Sequence, residues 1–208
     1  MPKCKYCNSK FEQYEFNNKF CKDLDCQTAK AMFLLAKKKK QDDKEWNEYK
    51  KEAKPRLYPK KYKSKLADEC QKLARMIDNK FNYNCIDCDR PFGKQQDGGH
   101  FKSKGSNMTL AFNLHNIHSQ RSECNCNGLG GGRERQYYDG LIKRYGIEYA
   151  EMVDVGLQKK YKHIGLKGNE IAEKLELVRK LIRDFDTFDF KDGNHARELL
   201  NKLIGIYK

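Results

Sequence analysis

Four cysteines near the start of the chain constrain its folding more than any other feature. Cys4-x2-Cys7 and Cys21-x4-Cys26 enclose Asn8 to Phe20, a segment too short to hold itself together on a hydrophobic core and therefore in need of a covalent or metal staple. Two thiolate pairs about a dozen residues apart suit a tetrahedral zinc sphere. Paired disulfides are disfavoured because Met1 to Lys10 is polar and lacks the charged-then-apolar layout of a secretory signal, which points to a reducing, cytoplasmic compartment. Four protein ligands leave no position open for water, so the expected zinc is structural. Cys85-x2-Cys88 forms a second knuckle that needs a partner pair, and Cys124 and Cys126 are available for it, with His118 as a substitute ligand. Cys70 recurs with Leu66, Leu73 and Ile77 on one helical face and is expected to be a packed core thiol.

The 208 residues suffice for one compact domain with an appended module, or for two small domains. Hydrophobic residues make up 38% and charged residues 35%, so much of the chain must be solvated helix surface. The longest apolar run, Ala31 to Ala36, is far shorter than the roughly 20 residues of a membrane span. Helical spacing from about Gln27 to Ala53 predicts one helix, Pro55 and Pro59 predict a break, and a second helix follows from Ser64 to Asn79. The expected organisation is a Cys4 zinc finger over 1–28, a basic helix and linker over 29–63, a core over 64–146 and C-terminal helices over 147–208. Asn169 and Asn194 are expected N-caps of the last two helices. The fold class is α+β, mostly helical.

Charge narrows the partners. The chain carries +14; Lys30 to Leu66 holds 14 basic and five acidic residues, so +9 of that total sits in one short segment. Such a stripe suits phosphate backbones, where counterion release drives salt-sensitive binding. Lys37, Lys38, Lys39, Lys40, Lys60 and Lys61 are the expected DNA contacts; a solvated helix face without a ligand is the alternative.

Between the halves of the second cysteine framework lie Asp97-Gly-Gly-His100-Phe101, then Asn113-Leu-His115-Asn116-Ile-His118-Ser-Gln120, then Cys124-Asn125-Cys126-Asn127. A histidine on a stapled hairpin can deprotonate a water while a divalent ion beside it polarises a phosphate. Gly98 and Gly99 would let backbone and phosphate approach closely. The glycine run at Gly128 and Gly130 to Gly132 lacks the ending of a P-loop and reads as a turn.

These ordered motifs, DGGHF, FNLHNIHSQ, a Cys-Asn pair with a glycine cluster and YYDGLIKRYG, resemble the NinG/Rap recombination nucleases of lambda-type phages, in the HNH or His-Me finger superfamily. The N-terminal CKYC and CKDLDC element with its lysine-rich helix is similar to that family too, and together these regions cover a little under half the chain. The resemblance implies a ββα-metal (HNH) nuclease core with a zinc knuckle, and an endonuclease cutting Holliday junctions, D-loops or other branched or single-stranded DNA. It implies His100 as general base, Asn116 as the asparagine orienting the histidine loop, and Asp97 with a Cys-Asn asparagine as ligands of Mg2+ or another divalent ion. Gly99 stands where superfamily members often have an acidic ligand, and Arg121 follows Gln120 where the family pattern continues with cysteine. Counting from Gln120 selects Asn125. Counting back from the glycine cluster selects Asn127 and keeps four thiolates, since an always-protonated guanidinium cannot replace a thiolate; Asn127 is the expected ligand.

A junction resolvase must cut two like strands, so a homodimer is expected by analogy with that task. Two other readings compete: a generic HNH nuclease acting on duplex DNA, and a zinc-stapled DNA-binding protein with a vestigial nuclease site.

Overall fold

The computed structural model describes residues 1–105, 107–125 and 133–207, which form two compact units, Met1–Lys54 and Pro55–Lys208. In the first unit a short turn at Lys5 to Cys7 is closed by the Cys4 amide donating to the Ser9 carbonyl (2.8 Å). Its entire core is Cys4, Phe11, Phe20 and Cys26, with Cys21 and Ala29 packed against it. Helix α1, Leu24–Leu57, rises from this finger. Phe33 is held beside the finger by Phe20 (ring centroids 6.0 Å) and by the Lys5 ammonium 4.0 Å from its ring. Beyond that point α1 is exposed almost throughout, the four lysines included.

The expected break at the prolines is smaller than its sequence suggests. Pro55 lies inside α1 and Pro59 opens α2, Pro59–Lys80, so only Tyr58 separates the two helices. Proline is tolerated at Pro59 because the first helical position has no intrahelical use for its amide, and Lys60 and Lys61 therefore lie in the first turn of α2 instead of in a linker. At the C-terminal helices Lys167 and Asp192 occupy the cap positions, with Asp192 accepting from the His195 amide; Asn169 and Asn194 already lie inside.

The second unit is organised around α2. Leu66, Cys70, Leu73 and Ile77 are fully buried, and the thiol of Cys70 is a core group as its spacing predicts. This face packs on α7, Gly168–Arg183, and α8, Gly193–Ile204, through Ile171, Leu175, Val178, Leu200 and Ile204. The residues on either side of the expected boundary at 146 thus belong to one unit. Strands β1, Gln96–His100, and β2, Ile117–Arg121, pair antiparallel, with Gly99 opposite His118 and Asp97 opposite Gln120. One turn of helix, α3, Ser122–Asn125, follows β2 directly. Helix α4, Glu134–Tyr145, then α5, Ile147–Glu151, a π-turn over Met152–Gly156 and α6, Leu157–Lys160, supply a second apolar cluster containing Phe101, Leu110, Tyr137, Leu141 and Val153. The small sheet in a mainly helical unit is α+β. Among the described residues no helix is long and apolar enough to cross a membrane.

One polar interaction runs through this interior. Asp78 of α2 and Arg197 of α8 are both fully buried and meet at 2.6 Å. Asp78 also accepts from the Ser119 amide of β2 (2.6 Å). Arg197 donates to the carbonyls of Leu114 (3.1 Å) and Gly193 (3.2 Å) and to the Tyr145 hydroxyl (2.9 Å). Removing one partner would strand a charge in a dry interior, whereas removing both removes the demand. Arg197→Leu should therefore cost about 3–5 kcal/mol in urea unfolding, and Asp78→Leu with Arg197→Leu should cost less than that single change. A double variant as unstable as the sum of its singles would refute this reading of the pair.

Candidate active site and metal centres

Cys4, Cys7, Cys21 and Cys26 bring their sulfurs within 4.8 Å of one another, and so do Cys85, Cys88 and Cys124. The described thiols are free. The Cys7–Cys21 sulfur separation is 3.8 Å and the Cys88–Cys124 separation 3.7 Å, nearly twice a disulfide bond and equal to the edge of about 3.8 Å of a tetrahedron with 2.3 Å Zn–S bonds. Backbone amides complete each knuckle: Cys21 donates to the Cys4 sulfur (3.4 Å) and Arg121 to the Cys85 sulfur (3.3 Å). Both clusters could hold zinc. Cys126 and Asn127 lie outside the described residues.

His118 does not join the second cluster. Its side chain points from β2 towards Tyr137, Tyr145 and Tyr149. The Tyr137 hydroxyl donates its one proton to the Gly99 carbonyl (3.1 Å), so His118 Nδ1, 3.0 Å away, must donate to the hydroxyl oxygen. Burial drives the His118 pKa well below its ordinary 6.5, and its Nε2 is buried without a partner. It is a packed, neutral core histidine. His115 bonds Tyr149 through Nδ1 (3.0 Å), and burial lowers it to about 3.

His100, at the end of β1, faces a cleft of about 800 Å³ that Asp97, Gln120 and Asn125 also line. Its Nε2 lies 3.0 Å from the Ala111 carbonyl. Burial lowers its pKa to about 4, against the upward pull of that hydrogen bond. The loop between His100 and Ala111 is tied by the fully buried Asn116, whose Oδ1 accepts from the Lys102 amide (2.8 Å) while its Nδ2 donates to the carbonyls of Lys102 (3.0 Å) and Leu110 (3.2 Å). Asn125, on α3, donates to the Asp97 carboxylate (3.1 Å). The structure therefore brings His100, Asp97 and Asn125 to one cleft and sets Asn116 behind it as a brace.

The diglycine lets neighbouring elements pack closely. A Cβ on Gly98 would lie 2.7 Å from Gln71 Cβ and 2.9 Å from the Gln71 carbonyl, so its absence lets α2 close onto β1. A Cβ on Gly99 would collide with the Gln120 amide, whose Nε2 donates to Asp87 (2.7 Å) and whose Oε1 is buried without a partner. Gln71, Arg75, Lys102, Lys104 and Arg133 also line the cleft. No spacing rule marks them, because they reach it from α2, from the loop after β1 and from the start of α4.

Elemental analysis of purified protein should find two tightly held zinc ions per chain, falling to about one when Cys4 and Cys7 are both changed to serine. Fewer than one ion in the parent protein would remove zinc from both clusters.

No curated protein sequence and no solved structure matches the chain. A family model described as bacteriophage lambda NinG protein matches residues 1–187. The match extends well beyond the finger and the Cys85 to Gly146 region that carry the motif resemblance, taking in α2 and α7. The chain belongs to the NinG family.

Proposed function

We propose that the chain is a metal-dependent, HNH-type DNA endonuclease acting on branched recombination intermediates, with His100 as its general base. The observation that carries this reading is the setting of the His100 ring. A carbonyl oxygen only accepts, so the bond to Ala111 assigns the proton to Nε2 and leaves a lone pair on Nδ1. Burial keeps the ring neutral at pH 7, as a group that must take a proton from water requires. A phosphodiester in the cleft adds negative charge, which raises the imidazole's proton affinity towards the range of an effective base. Asn116 holds the Leu110 carbonyl, one residue before the Ala111 carbonyl that sets the ring's tautomer.

The divalent ion implied by the motif resemblance meets suitable donors. Asp97 offers a carboxylate and Asn125 an amide oxygen, while the buried Gln120 Oε1 lacks any other partner; these are the hard oxygen ligands that Mg2+ takes. When bound, such an ion would stabilise charge on the phosphate and the leaving oxygen. Lys37 to Lys40, Lys60 and Lys61 are exposed and free to meet phosphates. Preference for Holliday junctions or D-loops rests on the resemblance to recombination nucleases.

Nicking of junction, duplex and single-stranded DNA with and without Mg2+ tests the proposal. Branched DNA should be cut fastest, and His100→Ala should lose about 10²- to 10⁴-fold in rate while binding DNA within a few fold. Between pH 6 and 8 kcat/KM should show no limb from His100, because in the free protein the base is already neutral above its lowered pKa of about 4. Folding must be followed in parallel. His100 and His115 lie below their unfolded value of 6.5, so the stability they confer is complete above 6.5 and is lost as pH falls through their folded values. Absence of metal-dependent cleavage on every substrate would leave a zinc-stapled DNA-binding protein.

A further inference from the structure

The cations lining the cleft are not equivalent. Lys102 is committed to two carboxylates, Glu134 at 2.5 Å and Asp154 at 2.7 Å. Arg133 donates to the Cys124 sulfur (3.3 Å). Arg75, half-buried on α2, makes no ion pair or hydrogen bond to any described residue, and Gln71, one helical turn earlier on the same wall, makes none through its side chain. A guanidinium partly removed from water without a partner is unfavourable unless something else satisfies it. The helix that carries it cannot readily turn it away, because the neighbouring Leu73, Ala74 and Ile77 are locked in the core. The contact of Gln71 with Gly98 presses the same turn of α2 against the strand that ends in His100.

We infer that Arg75 is a catalytic residue that grips the phosphodiester in the His100 cleft, with the Gln71 amide beside it as a second donor. This deepens the endonuclease reading and rests on it for the reaction, though not for the anion site. Planar guanidinium donors match two phosphate oxygens at once. A donor already in place stabilises charge that develops on the phosphorane-like transition state without reorganising at the moment of reaction. Lys104 also lines the cleft with no acidic partner among the described residues, but it sits on the loop after β1, where its charge acts on the His100 ring. Arg75 is the cation that a packed helix delivers.

The zinc-loaded, full-length protein should be titrated with diphenyl phosphate, a single phosphodiester that reads local contacts in place of polyelectrolyte binding, and assayed on branched DNA with Mg2+. Arg75→Ala should weaken diphenyl phosphate binding at least tenfold and lower kcat by about 10²- to 10³-fold, with KM within a few fold. Arg75→Lys should fall between the two, and added guanidinium should restore turnover to Arg75→Ala but not to His100→Ala. Circular dichroism should show both variants folded, since Arg75 has no hydrogen bond or ion pair to lose among the described residues. Binding and turnover equal to those of the parent protein would overturn the inference. If the parent protein cuts no DNA, the endonuclease reading falls and the titration alone decides: binding lost in Arg75→Ala upholds the phosphate site, while equal binding or none in the parent protein overturns it.

Discussion

The buried contact between Asp78 and Arg197 is the interaction on which the larger unit depends. Two charges in a dry interior are stable only when every lone pair and proton has a partner, and here the partners come from β2, the turn before it, α4 and α8. The pair therefore fixes more than the distance between two helices. Because Ser119 and the Leu114 carbonyl are held directly, the strand opposite His100 has one allowed register against α2. A one-residue slip would turn Asp97 and Gln120 to the wrong face. Apolar packing of α2 on α7 and α8 supplies the driving force; the ion pair supplies the specificity.

The cysteine clusters, which could hold zinc, would do the same work where there is too little apolar surface. The finger has two phenylalanine rings and its sulfurs for a core. The Cys85 knuckle and α3 have almost none of their own, yet they carry Asp87, Cys124 and Asn125 to the hairpin. Zinc held by Cys85, Cys88 and Cys124 would keep a short chain in place without burying area, which suits residues that border an open cleft.

The cleft is built from backbone that approaches closely and from side chains that are held rigid. Gly98 admits α2 and Gly99 admits Gln120, so the two glycines bring the histidine strand against a helix on one side and an amide on the other. Asn116 then ties the intervening loop, and the Ala111 carbonyl selects the tautomer of His100. Each of these contacts restricts a group that the proposed nuclease site needs in one orientation.

The sequence by itself determined the local features: the two thiolate frameworks, the apolar stripe of α2 with Cys70 in it, the helical C-terminal third, and the neighbourhood of His100, Asn116 and Asp97 in one motif. These are legible because ligand spacing and helical period are set by covalent geometry over a few residues. The position of the chain breaks was less legible: Pro55 and Pro59 mark a single-residue joint, since a helix can end just past one proline and begin at the other. Only the tertiary structure decided which polar residues would be buried together. Asp78 and Arg197 are 119 residues apart, and nothing in either one's neighbourhood distinguishes it from a surface charge. Likewise, the packing role of Gly98 and Gly99, the exclusion of His118 from the cysteine cluster and the placement of Arg75 on the cleft wall follow from which face of one element meets another, a relation that no stretch of sequence contains.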